Sequence, residues 1–361
     1  ARRGRWRPLV MLALFVVEGG IYNAVFIRRI LTAAGKEHLK LPFALIFNIF
    51  LGFAVLSYLR AVFGDPGVVP QRWQEFVSEV GDMLSVVPSR HEWQPGKATY
   101  CSECGQPRPE RAHHCKVCDV CILRMDHHCP WLANCVGFRN HKYFILSVAY
   151  SLVTCMTGLL TSLPELAACF EAVVRQQRDL APRKRWVVPV DEARAMLVFG
   201  AIAVSLAMVL STVFAAHIEL CAHNATSIEG HYDHAANPFD HGDAALNVAQ
   251  LFGEPGVDWL FPVTPWRPLT DGVSFERADE KMTSEGRTLA DVLGPNLLGK
   301  RMWQVRYRVR LRSDSEEGGC VTLGALLHGL SSTDGEPLMR SSRGGRRSPD
   351  EWSTRAYIIS L

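Results

Sequence analysis

The sequence predicts an α-helical integral membrane protein with four transmembrane helices and a cytosolic zinc-binding, cysteine-rich domain between helices 2 and 3. Three observations predict it. Four apolar runs approach the roughly 20 residues that a bilayer-spanning helix needs. Between the second and third runs, Cys101 to Cys135 packs seven cysteines and four histidines together with Asp126. The chain of 361 residues is 48% hydrophobic yet carries a net charge of only +3, so no strong basic field points to a nucleic-acid partner.

The elements follow in order. Residues 1–8 form a polar N-terminal segment, and residues 9–64 hold the first two spans, Leu9 to Ile27 and Phe43 to Phe63. The first span carries Glu18 and Asn23 and the second carries Asn48 and Arg60, so neither is a perfect hydropathy match; an acid inside a span marks Glu18 as a candidate for a direct role. Leu9 to Ile27 is followed by "RRILTAAGKEHLK" instead of a cleavage site, which reads as a retained anchor. The chain opens on Ala1, and further N-terminal sequence is expected before it.

Residues 65–100 begin with "GDPGVVP", a turn that stops the second helix and redirects the chain. Trp73, Phe76, Val77, Val80, Met83 and Leu84 then recur at helical spacing, which predicts a short amphipathic helix either on the membrane surface or against the metal module. The cysteine-rich domain occupies 101–142, and residues 143–220 hold the last two spans, Tyr143 to Leu163 and Met196 to Leu220. Residues 221–270 are polar and turn-rich, then weakly amphipathic. In the tail, 271–361, "WQVRYRVRLR" alternates as a half-buried strand would and "SSRGGRRSPDEWS" reads as disordered.

Basic residues flank the first span on both sides, so the charge count leaves its orientation tied. The cysteines break the tie: thiols that must stay reduced to bind metal belong on the cytosolic side. That choice places both termini and the Phe63 to Tyr143 loop in the cytosol, with the loops Arg28 to Leu41 and Pro164 to Arg194 in the lumen.

Structural zinc is closed by four ligands, and C-x2-C pairs are its common clasp. Cys101 with Cys104 is one such pair; Cys115 with Cys118 and Cys118 with Cys121 share a residue and cannot both be clasps. The segment holds too much for one tetrahedral site and suits two. Two Cys3His sites consume six cysteines and two histidines, and the remainder has the composition of a cysteine nucleophile with a base and an orienting acid. Adjacent side chains point apart, so His128 and Cys129 are poor partners for one ion. Cys129 also stands beside Asp126 and His127, the local acid and base, which makes it the best candidate for the spare thiol. The alternative makes Cys129 a ligand and Cys135 an ordinary buried thiol.

At this point the chain resembles the DHHC protein S-acyltransferases, enzymes that attach palmitate to cysteines of other proteins. The resemblance runs through C-x2-C-x3-RPxR, "HHC", C-x2-C-x2-C, "DHHCPW", "NCVG" and "NHKYF", and extends to "DPG", "TSIE" and a downstream "NPF" with Asn247 before "FG". It covers roughly Leu9 to Gly253. It implies two structural zinc ions, one held by Cys101, Cys104, His114 and Cys121 and the other by Cys115, Cys118, His128 and Cys135. It further implies Cys129 as nucleophile, His127 as its base and Asp126 as the group orienting His127, supported by Thr226, Ser227, Glu229 and Asn247. Two departures stand out: Ser227 replaces a second threonine, and the gap from Gly242 to Asn247 is one residue longer.

The implied reaction moves a long acyl chain from acyl-CoA to Cys129 and then to cytosolic cysteines of membrane-associated proteins, at the ER, Golgi or plasma membrane. Arg108, Arg111, Lys116, Arg124, Arg139 and Lys142 surround the cluster and are expected to meet the CoA phosphates. Cys155, Cys169, Cys221 and Cys320 read as incidental thiols, and His113 and His141 as hydrogen-bonding or packing residues. His231, His234 and His241 lack the spacing of a further metal site. Three rival readings are a zinc scaffold with a ubiquitin-ligase-type cross-brace, a transporter with a regulatory zinc module, and a catalytically idle member of the acyltransferase family.

Overall fold

The computed structural model describes residues 6–84, 86–88, 97–180, 188–232 and 236–278. The expected strand in "WQVRYRVRLR", the "SSRGGRRSPDEWS" segment, Cys320 and His234 lie outside these residues, as does the side chain of Met83.

Among the described residues, four helices are long and apolar enough to cross a membrane. The first two are α1 (Arg7–Ala33) and α2 (Glu37–Phe63). A short α3 (Gln71–Val80) and seven strands follow. The other two long helices are α4 (His141–Gln177) and α5 (Val190–Ala222), and α6 (Ala244–Phe252) comes last.

Within α1, Ile21–Ile30 winds as a π-helix. The wider spiral brings residues roughly four to five apart into line, and Tyr22, Phe26, Ile30 and Leu31 all face inward at 0% exposure. Tyr22 stacks on Phe47 of α2 with centroids 3.7 Å apart, and its hydroxyl lies 2.7 Å from Thr161 Oγ1 of α4. The two amides that weaken the hydropathy of the first spans satisfy one another: Asn23 Nδ2 donates to Asn48 Oδ1 at 3.0 Å and Asn48 Nδ2 to Asn23 Oδ1 at 2.8 Å. Glu18 is 7% exposed, and its Oε1 has no hydrogen-bond partner among the described residues.

The third span differs from expectation. It does not stop before Pro164 but runs on to Gln177 with the proline inside. A proline deletes one amide donor, a loss that a helix packed among others tolerates. One residue further on, Lys36 Nζ grips Glu165 Oε1 at 2.5 Å and ties the extension to the end of α1.

The strands form three small sheets. β1 (Val86–Pro88), β2 (Ala98–Cys101) and β3 (Gln106–Arg108) make one; β4 (His113–Cys115) pairs with β5 (Val120–Ile122), and β6 (His127–Cys129) with β7 (Asn134–Val136). Of the two readings of the amphipathic helix, the packed one holds. Trp73, Phe76, Val77 and Val80 of α3 are buried against Ala98, Ala112, Leu123 and Val273, and Trp73 Nε1 donates to the Pro107 carbonyl at 3.0 Å. Trp73→Ala opens a large hole in this small core and is expected to cost about 3–5 kcal/mol, read as a lower melting midpoint of the purified protein.

After α6 the chain turns back against the helices. The Tyr150 hydroxyl of α4 donates to the Leu260 carbonyl, and the Phe261 ring meets Phe53 of α2 edge-on at 5.6 Å. Val257, Leu260, Phe261 and Trp266 leave their apolar side chains exposed there.

Candidate active site and metal centres

The two zinc-type clusters arise from strand alternation. In the β4–β5 hairpin His114 faces Cys121, and in β6–β7 His128 faces Cys135 while Cys129 faces Asn134. Cross-strand partners share a face and neighbours along a strand take opposite faces. His114 and Cys121 therefore join Cys101 and Cys104, while Cys115, on the other face of β4, joins Cys118, His128 and Cys135.

Within each set all ligand atoms lie within 4.8 Å of one another. A tetrahedral zinc site with ordinary bond lengths separates its ligand atoms by roughly 3.5–3.8 Å. The observed separations lie close to that range: Cys104 Sγ to His114 Nδ1 is 3.3 Å, Cys104 to Cys121 is 3.6 Å, Cys121 to His114 Nδ1 is 4.0 Å, Cys118 to His128 Nδ1 is 3.4 Å and Cys118 to Cys135 is 3.5 Å. Both clasps close on a left-handed residue after the second cysteine, Gly105 at φ 67° and Asp119 at φ 58°. Their amides donate back to the carbonyls of Cys101 at 2.9 Å and Cys115 at 2.7 Å. Glycine reaches that conformation freely, and aspartate is among the few other residues that tolerate it.

The same alternation turns His127 and Cys129 away from the metal face. His127 Nδ1 donates to Asp126 Oδ2 at 2.6 Å, which leaves Nε2 available to Cys129, on the same face of β6. Burial disfavours the His127 cation, but Asp126 and Cys129 outweigh it and lift His127 to about 10. Burial would raise Asp126 too. The hydrogen bond from His127 and the facing imidazoles of His141 and His217 instead hold it far below the ordinary carboxylate range.

A second layer comes from the chain after α5. Thr226 and Glu229 form a capping box: the Glu229 amide donates to Thr226 Oγ1 at 3.2 Å, and the Thr226 amide donates to Glu229 Oε2 at 2.9 Å. That fixes the intervening Ser227, whose amide donates to Asp126 Oδ1 at 2.8 Å and whose hydroxyl donates to Oδ2 at 2.9 Å. The serine contact expected in place of threonine is thus present. Ser227→Ala keeps the amide bond and loses the hydroxyl, and is expected to slow acyl-enzyme formation about tenfold, the worth of one buried hydrogen bond. Ser227→Thr restores the hydroxyl and should match the parent in single-turnover labelling.

Glu229 is anchored in turn by Arg111, which donates from Nε and Nη2 to its two oxygens, both at 2.7 Å. The side chains of this pair are 0% and 1% exposed, and the guanidinium lies between the rings of Phe239 and Phe275 at 4.4 and 4.7 Å. Asn247 also takes a buried place. Its Nδ2 donates to the Ala222 carbonyl at the end of α5 at 2.7 Å and to Asp240 Oδ1 at 2.6 Å, despite the lengthened gap from Gly242.

Four of the six residues expected to meet the phosphates are buried: Arg108, Arg111, Arg124 and Lys142. Arg111 and Arg124 sit at positive φ, 61° and 42°, and turn inward. Arg124, 1% exposed, donates to Asn224 Oδ1 and the Ala225 carbonyl, both at 3.2 Å. Lys142, 2% exposed, donates to the Asp258 carbonyl at 2.7 Å. Arg108 is buried and donates to Thr99 Oγ1 at 2.8 Å. Lys116 is exposed at the tip of a clasp, and Arg139 is half-exposed on Asp65.

Sequence reasoning missed Tyr58 and His217. The Tyr58 hydroxyl donates to the Trp131 carbonyl at 2.8 Å beside Cys129. His217 Nδ1 lies 3.8 Å from Asp126 Oδ2. The signal for His217 was available, since an ionisable residue inside an apolar span is a site candidate by itself.

The comparisons point one way. The DHHC palmitoyltransferase family matches residues 94–233. "Probable protein S-acyltransferase 12" of Arabidopsis thaliana is 32% identical over 222 residues, covering 60% of this chain and 72% of that relative. "Probable protein S-acyltransferase 13" of the same plant is 31% identical over 297 residues, covering 78% and 94%. "Palmitoyltransferase ZDHHC20" of Mus musculus is 29% identical over 313 residues, covering 79% and 81%.

Proposed function

The chain belongs to the DHHC palmitoyltransferase family, and from that premise we propose that Cys129 carries the acyl group between acyl-CoA and a cysteine of a target protein. The observation that supports this most is the row Ser227, Asp126, His127, in which each side chain bonds the next, with Cys129 two residues along on the same face of β6 as His127. A thiol ionises near ~8.5 unaided, and the thiolate is the attacking form. His127, with its Nδ1 held by Asp126, takes the thiol proton at Nε2 and remains beside the thiolate as a cation. Cys129 Sγ then forms a bond to the carbonyl carbon of the acyl thioester. The CoA sulfur leaves with the bonding pair and collects the proton from His127. His127 then takes the proton of the target protein's thiol, the resulting thiolate forms a bond to the carbonyl carbon of the new thioester, and the Cys129 sulfur leaves with the bonding pair and regains the proton from His127. Each step exchanges one thioester for another, so no ATP is required and the kinetics are ping-pong.

The two ligand sets described above would each hold a zinc ion as a closed structural site, and such ions would fix the shape of the module. Cys129 packs among Tyr58, Leu132 and Phe144, with Met11, Leu12, Phe15, Val213 and Phe214 beside them. This apolar surround suits the acyl chain, each buried CH2 contributing about 0.8 kcal/mol. The polyanionic CoA stays at the aqueous surface, where Lys116 and Arg139 are the expected cations that reach solvent. The need to keep these thiols reduced supports a cytosolic face, on a membrane of the ER, Golgi or cell surface, with membrane-associated proteins as targets.

The test is intact-mass measurement of the purified protein after palmitoyl-CoA, comparing wild type with Cys129→Ser and following release by hydroxylamine. A hydroxylamine-labile adduct in wild type alone is expected. An adduct on both proteins removes Cys129 from the role, and none on either, with zinc retained, leaves the scaffold reading in its place.

A further inference from the structure

His217 has no part in the reaction just described, yet it is 4% exposed and its Nδ1 has no hydrogen-bond partner among the described residues. A buried polar atom without a partner costs free energy and calls for a reason. It lies 3.8 Å from Asp126 Oδ2, the oxygen that His127 Nδ1 meets at 2.6 Å. Phe144 lies edge-on against the ring at 4.9 Å and the His127 ring is 5.6 Å away. The ligand atoms of Asp126, His127 and His217 all fall within 4.8 Å of one another. One carboxylate and two imidazoles are a donor set that zinc accepts, and three protein ligands leave a coordination position open, unlike the two four-ligand sets, one of which takes His128 from the opposite face of β6.

We propose that Asp126, His127 and His217 form a third site for a zinc-type divalent cation, and that its occupation switches off acyl transfer. This rests on Asp126 and His127 serving Cys129. The cation binds Asp126 Oδ2, His217 Nδ1 and His127 Nδ1, and the proton on His127 Nδ1 leaves to solvent in exchange. No bond to carbon forms or breaks and nothing is oxidised. With the carboxylate charge given to the ion, His127 can no longer become the cation that sits beside a Cys129 thiolate. The ion must displace the Asp126 to His127 hydrogen bond and crowd the Ser227 hydroxyl. The site therefore fills at higher free zinc than the two closed sites and empties first.

The experiment counts metal directly. Wild type, Cys129→Ser and His217→Gln are equilibrated in zinc buffers of rising free concentration, and zinc per chain is measured by plasma mass spectrometry alongside palmitoyl-CoA labelling. Wild type and Cys129→Ser are expected to rise from two ions to three, and wild-type labelling to fall in step with the third. Over the zinc range that gives wild type its third ion, His217→Gln is expected to stay at two and keep labelling, with third-ion binding and inhibition shifted together to at least about tenfold higher zinc. His217→Asp returns a ligating oxygen and should regain the third ion. A wild-type curve that stops at two overturns the proposal whatever the variants do, as does a His217→Gln curve identical to wild type. Failure of the Cys129 assignment shows separately, as labelling of Cys129→Ser with the zinc counts unchanged.

Discussion

Stripping zinc from the detergent-solubilised protein with a strong chelator is expected to abolish palmitoyl-CoA labelling by collapsing the cysteine-rich module while the four long helices persist. The strands that carry the ligands are three or four residues long, and the apolar cluster around the second site is only Cys115, Ile122, Met125 and Cys135 with three partly buried neighbours. So small a core cannot hold itself together, whereas structural zinc contributes about 10–16 kcal/mol of apparent binding free energy, as much as a whole domain's stability. Because the two ligand sets interleave along the chain, Cys104→Ser in the first and Cys135→Ser in the second should do the same damage, although only Cys135 shares a hairpin with Cys129. Far-ultraviolet circular dichroism should keep most of its helical signal as limited proteolysis opens the segment from Ala98 to Asn140. A chelated protein that still labels at the parent rate would sink this account.

Asp126→Asn is expected to slow acyl-enzyme formation by about 10²–10⁴-fold at neutral pH, the range seen when a positioned acid–base group loses its partner. The side chain keeps its shape and can still accept from the Ser227 amide, but the charge that lifts His127 to about 10 is gone. The sign of the pH dependence follows from that. With Asp126, the His127 cation survives throughout the neutral range; without it, the cation is lost as pH rises through the ordinary histidine value near ~6.5. The deficit against the parent should therefore be largest around neutrality and shrink toward about pH 9, where a thiol ionises without help. Single-turnover rates across that range decide it, and a deficit that is flat with pH would assign Asp126 a purely structural role.

The sequence made the local features legible. The C-x2-C clasps, the adjacency of His128 and Cys129, and the apolar runs are all encoded within a few residues, and strand alternation converts them directly into two ligand sets and a separate thiol. What escaped depended on contacts between distant segments. Arg111 and Glu229 are 118 residues apart, so a basic residue beside the cluster read as a phosphate ligand when it is the anchor of the capping box. Arg124 and Lys142 were misread for the same reason. Pro164 looked like a stop because its cost is local, while the packing that tolerates it is not. The helix Gln71–Val80 showed its apolar face plainly but not what covers it, since a membrane surface and a protein core ask for the same pattern.

The β6–β7 pairing also sets which kinds of change this segment can absorb. His127 and His128 are chemically the same residue and differ only in phase. A single inserted or deleted residue between Asp126 and Pro130 would exchange their faces, putting the base on the metal side and the ligand beside the substrate with no loss of composition. Substitutions here can be graded, from the mild to the disabling, but changes in length cannot. The segment behaves as a reading frame, in which meaning depends on parity.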